Sequence, residues 1–444
     1  MDSPTLTTCS KLSFFYRISG DVPVSEALQS DLRADPMGME INDIDLMQPT
    51  LFHGDYHLKL FERLRQEDPV YFQKVTEIGN NGEELGRIWH VTRYRDIMAV
   101  DTNPQVFSSA GSIVADDQAE DFPLPMFIAM DPPQHDQQRR EVNGVVAPRN
   151  LATMEGIIRT RVQNILDSLP RGETFNWVDL VSIELTTQML ATLFDFPFED
   201  RRKLTRWSDV ATADENSGVV ESEEQRREEL GECLAYFTEL WNQRVNQPPA
   251  GDLVSMLAHG ESTKNMGPME YLGNLILLIV GGNDTTRNSI TGGVRFLNEF
   301  PDEYQKLRDN PGLIPNMVPE IIRYQTPLAY MRRTATQDTV LGGKQISAGD
   351  KVLMWYVSGN RDSSEIEDAD RFWIDRPRAR QQLSFGFGIH RCMGNRLAEM
   401  QLRVLWEEIM ARFERIEVVG EPVHVNSNFV KGYSELPVVL HEKH

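Results

Sequence analysis

At 444 residues the chain exceeds one average domain, yet single cores of this size exist and its burial capacity is ample. A net charge of −22, with 25% charged and 40% apolar residues, describes an acidic globular protein and argues against nucleic acid or an anionic membrane as partner. Three widely separated cysteines, Cys9, Cys233 and Cys392, exclude a disulfide framework and fit a reducing, cytoplasmic setting, while the longest apolar run, residues 275–280, falls far short of the ~20 needed for a transmembrane anchor.

Residues 1–45 are mixed and acidic, and their apolar stretch at 12–16 is too short for a signal peptide. They are read as a poorly ordered or peripheral extension, followed by one domain over 46–444. Segments 72–76 and 87–93 alternate around a G-N-N-G turn, a hairpin signal. From about 135 to 325 the pattern is mostly helical, with apolar residues recurring at three and four over 151–169, 177–193 and 230–245. The charge run at 221–229 reads as a helix start or an exposed loop. Strand alternation returns at 333–336, at 339–346 around Gly342 and Gly343, and at 351–357. No linker or repeat divides the body, so the expectation is a mainly α domain with a small β portion.

Near the C-terminus, F-G-F-G-I-H-R-C-M-G-N places Cys392 in a glycine-studded loop before a helix expected from about Asn395. A lone cysteine is most often a buried structural thiol, and a nucleophilic pair with His390 is a second reading. Neither needs Gly386, Gly388 and Gly394, which let backbone approach something bulky and flat, while the helix N-terminus lowers the pKa of the sulfur. A thiolate in a hydrophobic loop suits a soft metal centre, and haem iron is the chemistry that uses a single cysteine this way. The stretch resembles the haem-thiolate loop of the cytochromes P450. That resemblance implies haem b ligated by Cys392, with Phe385 and Gly386 against the cofactor.

Other motifs follow in the family's order. The run 275–280 predicts a helix buried on all sides, which Gly281 and Gly282 interrupt just before Asp284 and Thr285. Threonine hydroxyls bonding back to the preceding turn would make a local kink or groove there. The segment resembles the family's acid-alcohol motif, which implies that Asp284 and Thr285 relay protons. Glu320 and Arg323 lie on one face of an apolar helix and need further partners if buried. The resemblance supplies an arginine ahead of the cysteine and nominates Arg371, all three being structural. His135 and Arg139 share a helix face, resembling the bacterial H-x-x-x-R. With Arg333 and His390 they make four donors for the two haem propionates.

The resemblance spans roughly residues 50–440 and implies the family's fold, with haem between a long kinked central helix and the cysteine-loop helix. More narrowly, stretches 126–135, 144–151, 274–289, 325–333 and 427–433 resemble the soluble bacterial branch that hydroxylates the terminal carbon of medium-chain alkanes and fatty acids. Leu277, Gly281, Leu328, Met331 and Phe429 would line its greasy pocket. A peroxide-driven peroxygenase should lack the acid and alcohol pair; a haem sensor or carrier needs no proton relay. The chain has no G-x-G-x-x-G after a strand and no flavin or iron–sulfur cysteine set. Electrons would therefore come from NAD(P)H through a ferredoxin and ferredoxin reductase, docking on Arg391, Arg396 and Arg403 with Arg140 and Arg149.

Overall fold

The computed structural model describes residues 38, 40, 41, 44–54, 56–78, 84–213 and 217–443. Cys9, almost all of the N-terminal extension and the G-N-N-G turn therefore lie outside the described residues. Helix α1 (Tyr56–Glu67) leads into the hairpin strands β1 (Val70–Ile78) and β2 (Glu84–Val91), then α2 (Tyr94–Asp101) and the short β3 (Phe107–Ser108). Helix α3 (Gln134–Val142) precedes α4 (Pro148–Ser168) and β4 (Phe175–Asn176). In α4 a proline at the first turn fixes φ, and Leu151, Met154, Ile158, Val162 and Ile165 are buried at the expected spacing. The segment expected as one helix over 177–193 is a π-helical turn, Val178–Ile183, followed by α5 (Glu184–Phe194).

Helix α6 (Arg202–Thr212) precedes α7 (Glu223–Arg244). The acidic run starts α7: the Ser222 hydroxyl accepts the Gln225 amide at 3.2 Å, and Glu223 and Glu224 sit against the positive end of the helix dipole. After α8 (Leu253–His259) comes the central helix α9 (Pro268–Glu299), then α10 (Pro301–Asp309) and α11 (Ile314–Gln325). Strands β5 (Met331–Ala335), β6 (Thr339–Leu341), β7 (Lys344–Ile346) and β8 (Lys351–Met354) follow. Gly342 and Gly343, at φ +56° and +80°, make the predicted tight turn between β6 and β7. The last stretch expected as strand ends at Met354 and turns into α12 (Tyr356–Gly359). Helix α13 (Asn395–Arg412) runs into β9 (Phe413–Val418), β10 (Val423–His424), β11 (Tyr433–Glu435) and β12 (Pro437–Glu442), a C-terminal β portion that the periodicity did not announce.

The main sheet has the order β1-β2-β8-β5-β3, with only β2 and β8 parallel. The largest apolar cluster lies among the helices, with α9 through its middle, and two smaller clusters cover the sheet. Two expectations for α9 are corrected. The helix is continuous through Gly281 and Gly282, and the run 275–280 is not buried on all sides, because Leu277, Leu278 and Val280 are half-buried and line a cavity. The two glycines divide the work: a Cβ on Gly282 would come within 2.6 Å of Leu190 on α5, whereas one on Gly281 would enter open space. Close helix packing on one side and a groove on the other result. Among the described residues no helix is long and apolar enough to cross a membrane.

Candidate active site

A cavity of about 490 Å³ lies between α9 and the cysteine loop. All five residues expected to line it do so: Leu277, Gly281, Leu328, Met331 and Phe429. Sequence reasoning missed other lining residues, among them Phe122, Leu124, Ile128, Val145, Met189 and Leu193, which arrive from scattered segments. Each is one apolar residue among many, and only the fold gathers them.

Cys392 enters this cavity at one end. Its amide donates to the Phe385 carbonyl at 2.8 Å, which closes the loop, and Phe385 and Gly386 line the cavity beside it. Gly386 and Gly388 are at φ +63° and +65°, and a Cβ on Gly388 would lie 2.5 Å from the Asp101 carbonyl oxygen. These two glycines are thus required by the backbone and by packing on α2. The sulfur is accessible from the cavity yet surrounded by protein. Burial pushes the thiol up; the Gly394 and Asn395 amides, with Arg139 and Arg391, pull it down but do not outweigh it. The expected lowering by the helix N-terminus is therefore present as a contribution and reversed in the net.

Near Cys392 the predicted donors converge. His135 is 1% exposed and packs at a tilt against His390, ring centroids 4.2 Å apart, although 255 residues separate them. His135 Nε2 and both ring nitrogens of His390 are buried with no partner among the described residues. Burial, then Arg333, His135 and Arg139, push His390 down to about 2. Arg139 donates to the Arg391 carbonyl and, like Arg333, lines the cavity. Unsatisfied buried polar atoms in a native site call for a partner. Three orphaned ring nitrogens beside two arginines, next to a lone cysteine, fit a dianionic haem ligated by sulfur.

Asp284 and Thr285, adjacent in sequence, part company in space. Thr285 lines the cavity and its hydroxyl donates to the Gly281 carbonyl at 3.0 Å, the back-bond expected of it. Asp284 is fully buried behind the cavity wall, with Arg287 NH2 at 3.0 Å, Asn283 Nδ2 at 3.1 Å and the Thr212 hydroxyl at 3.3 Å. Thr212, on α6, does line the cavity and so connects Asp284 to it. Burial raises the Asp284 pKa, Arg287 lowers it and Asp209 raises it, for a net upward shift.

Glu320 and Arg323 are buried together as expected, but their third partner is corrected. Arg376 donates from Nε to Glu320 at 3.0 Å and is 3% exposed. The Arg371 side chain points to Glu303 and is 54% exposed; only its carbonyl joins the cluster, accepting Arg323 at 3.0 Å. The two arginines lie five residues apart in an irregular segment, where no periodicity says which turns inward. Arg403, expected to help dock the partner, is partly exposed and tied to Glu155 at 2.8 Å and Glu407 at 2.7 Å. Arg140, Arg149, Arg391 and Arg396 are exposed.

Comparison with known proteins agrees with this geometry. A family model for cytochrome P450 matches residues 219–430. The chain is 36% identical over 411 residues to linalool 8-monooxygenase of Pseudomonas putida, covering 89% of this chain and 98% of that one. It is 32% identical over 418 residues to a methyl-branched lipid omega-hydroxylase of Mycobacterium tuberculosis, covering 91% and 96%. Among solved structures, cytochrome P450-153 from Novosphingobium aromaticivorans is similar at TM-score 0.82 and 46% identity, covering 89% of this chain and 99% of that one.

Proposed function

The chain belongs to the cytochrome P450 family and is a monooxygenase with that family's mainly α fold, and from that premise we propose that it hydroxylates the terminal carbon of medium-chain alkanes or fatty acids. The observation that carries the proposal is the apolar cavity, which joins Leu277, Leu328, Met331 and Phe429 to Cys392. One relative is named for omega-hydroxylation of a lipid, which supports a chain-end reaction. When bound, haem supplies the iron that activates dioxygen for insertion of one oxygen atom into a C–H bond. Cys392 would ligate the haem, and His135, Arg139, Arg333 and His390 would hold its propionates.

The protein's own residues do the rest. Apolar walls exclude water and restrict how a chain can lie, which a terminal C–H bond, the strongest in the chain, requires. Thr285 presents a hydroxyl to the cavity, and Asp284, its pKa raised by burial, lies behind Thr212, whose hydroxyl it accepts, so that a proton could pass between Asp284 and the cavity by that route. We read residues 46–444 as the catalytic domain, working in the cytoplasm. Electrons from NAD(P)H arrive through a ferredoxin and its reductase at the exposed Arg140, Arg149, Arg391 and Arg396, and Arg396→Glu should slow ferredoxin-driven turnover at low salt only. The decisive experiment is product analysis over a ladder of alkanes and fatty acids, expected to give 1-alcohols and ω-hydroxy acids. Mainly subterminal alcohols would refute the terminal assignment. The Cys392→Ala protein should lose the red-shifted Soret band of the reduced carbon monoxide complex.

A further inference from the structure

The end of the cavity that gathers the propionate donors also holds a carboxylate, although two more negative groups are expected there. Asp101, at the C-terminus of α2, is 3% exposed and lines the cavity. Arg333 NH2 donates to its Oδ1 at 2.8 Å, and the Tyr356 hydroxyl and the Phe387 amide donate to its Oδ2 at 3.0 and 2.7 Å. The three donors belong to β5, to α12 and to the cysteine loop, so one side chain joins three elements around Cys392. Arg333, also 3% exposed, gives NH1 to the Arg332 carbonyl at 2.8 Å, which fixes the guanidinium from a second side.

A buried carboxylate is tolerated only when it is paired and hydrogen-bonded, and Asp101 meets that condition fully. A structural tie alone would not need the charge. An amide would accept from Tyr356 and Phe387 equally well, and would leave Arg333 free for a propionate. Resting on the haem-thiolate reading above, we propose that Asp101 is a positioning residue of the haem pole: it fixes Arg333 and the cysteine loop to each other, and its charge offsets that of Arg333 where a propionate binds. Adding an electron to the haem is disfavoured by a nearby anion and favoured by a nearby cation. The pair therefore holds the reduction potential below the value Arg333 alone would set.

The test uses the purified holoprotein. The reduced carbon monoxide spectrum of the parent is recorded first; lack of the thiolate band there refutes the haem reading itself and says nothing against Asp101. With the band present, Asp101→Asn should move the ferric/ferrous midpoint potential positive and Arg333→Gln should move it negative. The double variant should return toward the parent, because the lost charges cancel. A single Asp101→Asn potential equal to or below the parent overturns the proposal, as does a double variant no nearer the parent than either single one. If Asp101→Asn retains no haem, Asp101→Glu decides: it keeps the charge on a longer arm, so it should keep the potential but lose the thiolate band faster than the parent. A Glu variant whose thiolate band is as durable as the parent's also overturns the proposal.

Discussion

Two helices of this protein each bury an acid three residues before an arginine, Glu320 and Arg323 on α11 and Asp284 and Arg287 on α9, and the two pairs are finished differently. Glu320 takes Arg323 Nε and NH2 at 2.7 and 2.8 Å, the Trp373 amide at 2.9 Å and Arg376 Nε at 3.0 Å. Arg323 in turn donates to the carbonyls of Asn360, Ala369 and Arg371 at 2.7, 2.7 and 3.0 Å. Asp284 receives longer contacts and shares Arg287 NH2 with Asp209, which lies closer at 2.8 Å, while Arg287 Nε is buried without a partner among the described residues. The first pair is saturated and works as a strut between α11 and the segment before the cysteine loop. The second is under-satisfied, and its acid has a raised pKa, which is the state of a group that can give up a proton.

Removing the acid should therefore have opposite consequences at the two sites. Glu320→Ala leaves the Arg323 and Arg376 cations buried without an anion, a loss of about 3–5 kcal/mol, so denaturant unfolding should show a collapsed midpoint and haem should not be retained. Arg376→Ala should also destabilise strongly, whereas Arg371→Ala removes a half-exposed side chain and leaves the buried Glu303 paired with Lys306, so it should cost under about 1 kcal/mol. Equal midpoints for these two arginine variants would return the third place in the cluster to Arg371.

At the second site the loss should appear in turnover and not in stability. Asp284→Asn removes one of the two carboxylates on Arg287, but Asp209 at 2.8 Å keeps that cation paired, so the thermal midpoint should change little. General acid catalysis is typically worth at least about 100-fold, so steady-state hydroxylation should fall by about that factor, or ~2.7 kcal/mol in the barrier. Thr285→Ala should retain haem and substrate while diverting reducing equivalents to hydrogen peroxide. Wild-type turnover by Asp284→Asn would reduce this pair to a second strut.

The same contrast shows what was legible in the sequence. The cysteine loop could be read because its geometry needs particular residues: left-handed backbone at Gly386 and Gly388 restricts composition, and both also pack closely on Asp101. The helices α4, α7 and α9 could be read from apolar spacing, and α13 from its place after the cysteine loop. Arg376 could not, because the segment around it has no period. Asp101, Asp209 and Thr212 could not either, since each reaches the site from a helix distant in sequence and carries no motif. The engagement of Arg403 was half visible, because Glu407 lies four residues on along the same helix, the spacing of an intrahelical ion pair.

The finest test of the comparison is Asp209→Asn. Asp209 lies on α6, its side chain is 31% exposed, and it competes with Asp284 for one guanidinium. Its negative charge raises the Asp284 pKa directly, and its hold on Arg287 weakens the lowering that Arg287 provides. Removing the charge takes away a raising influence and returns Arg287 to Asp284, so both changes move the Asp284 pKa down. If Asp284 delivers a proton, turnover falls as pH rises through its pKa, and the descending limb of the pH profile should move to lower pH. The displacement should be small, under about one pH unit or ~1.4 kcal/mol, because Asp209 is partly solvated and screened. It should shrink further at high salt. Conversion of Glu399 to Gln, an exposed-pair acid bonded to Arg380 and not to the α9 cluster, serves as the control and should leave the limb in place. A limb that stays put in Asp209→Asn, or moves to higher pH, would separate Asp284 from the titration and leave Thr285 as the relay's one side chain on the cavity.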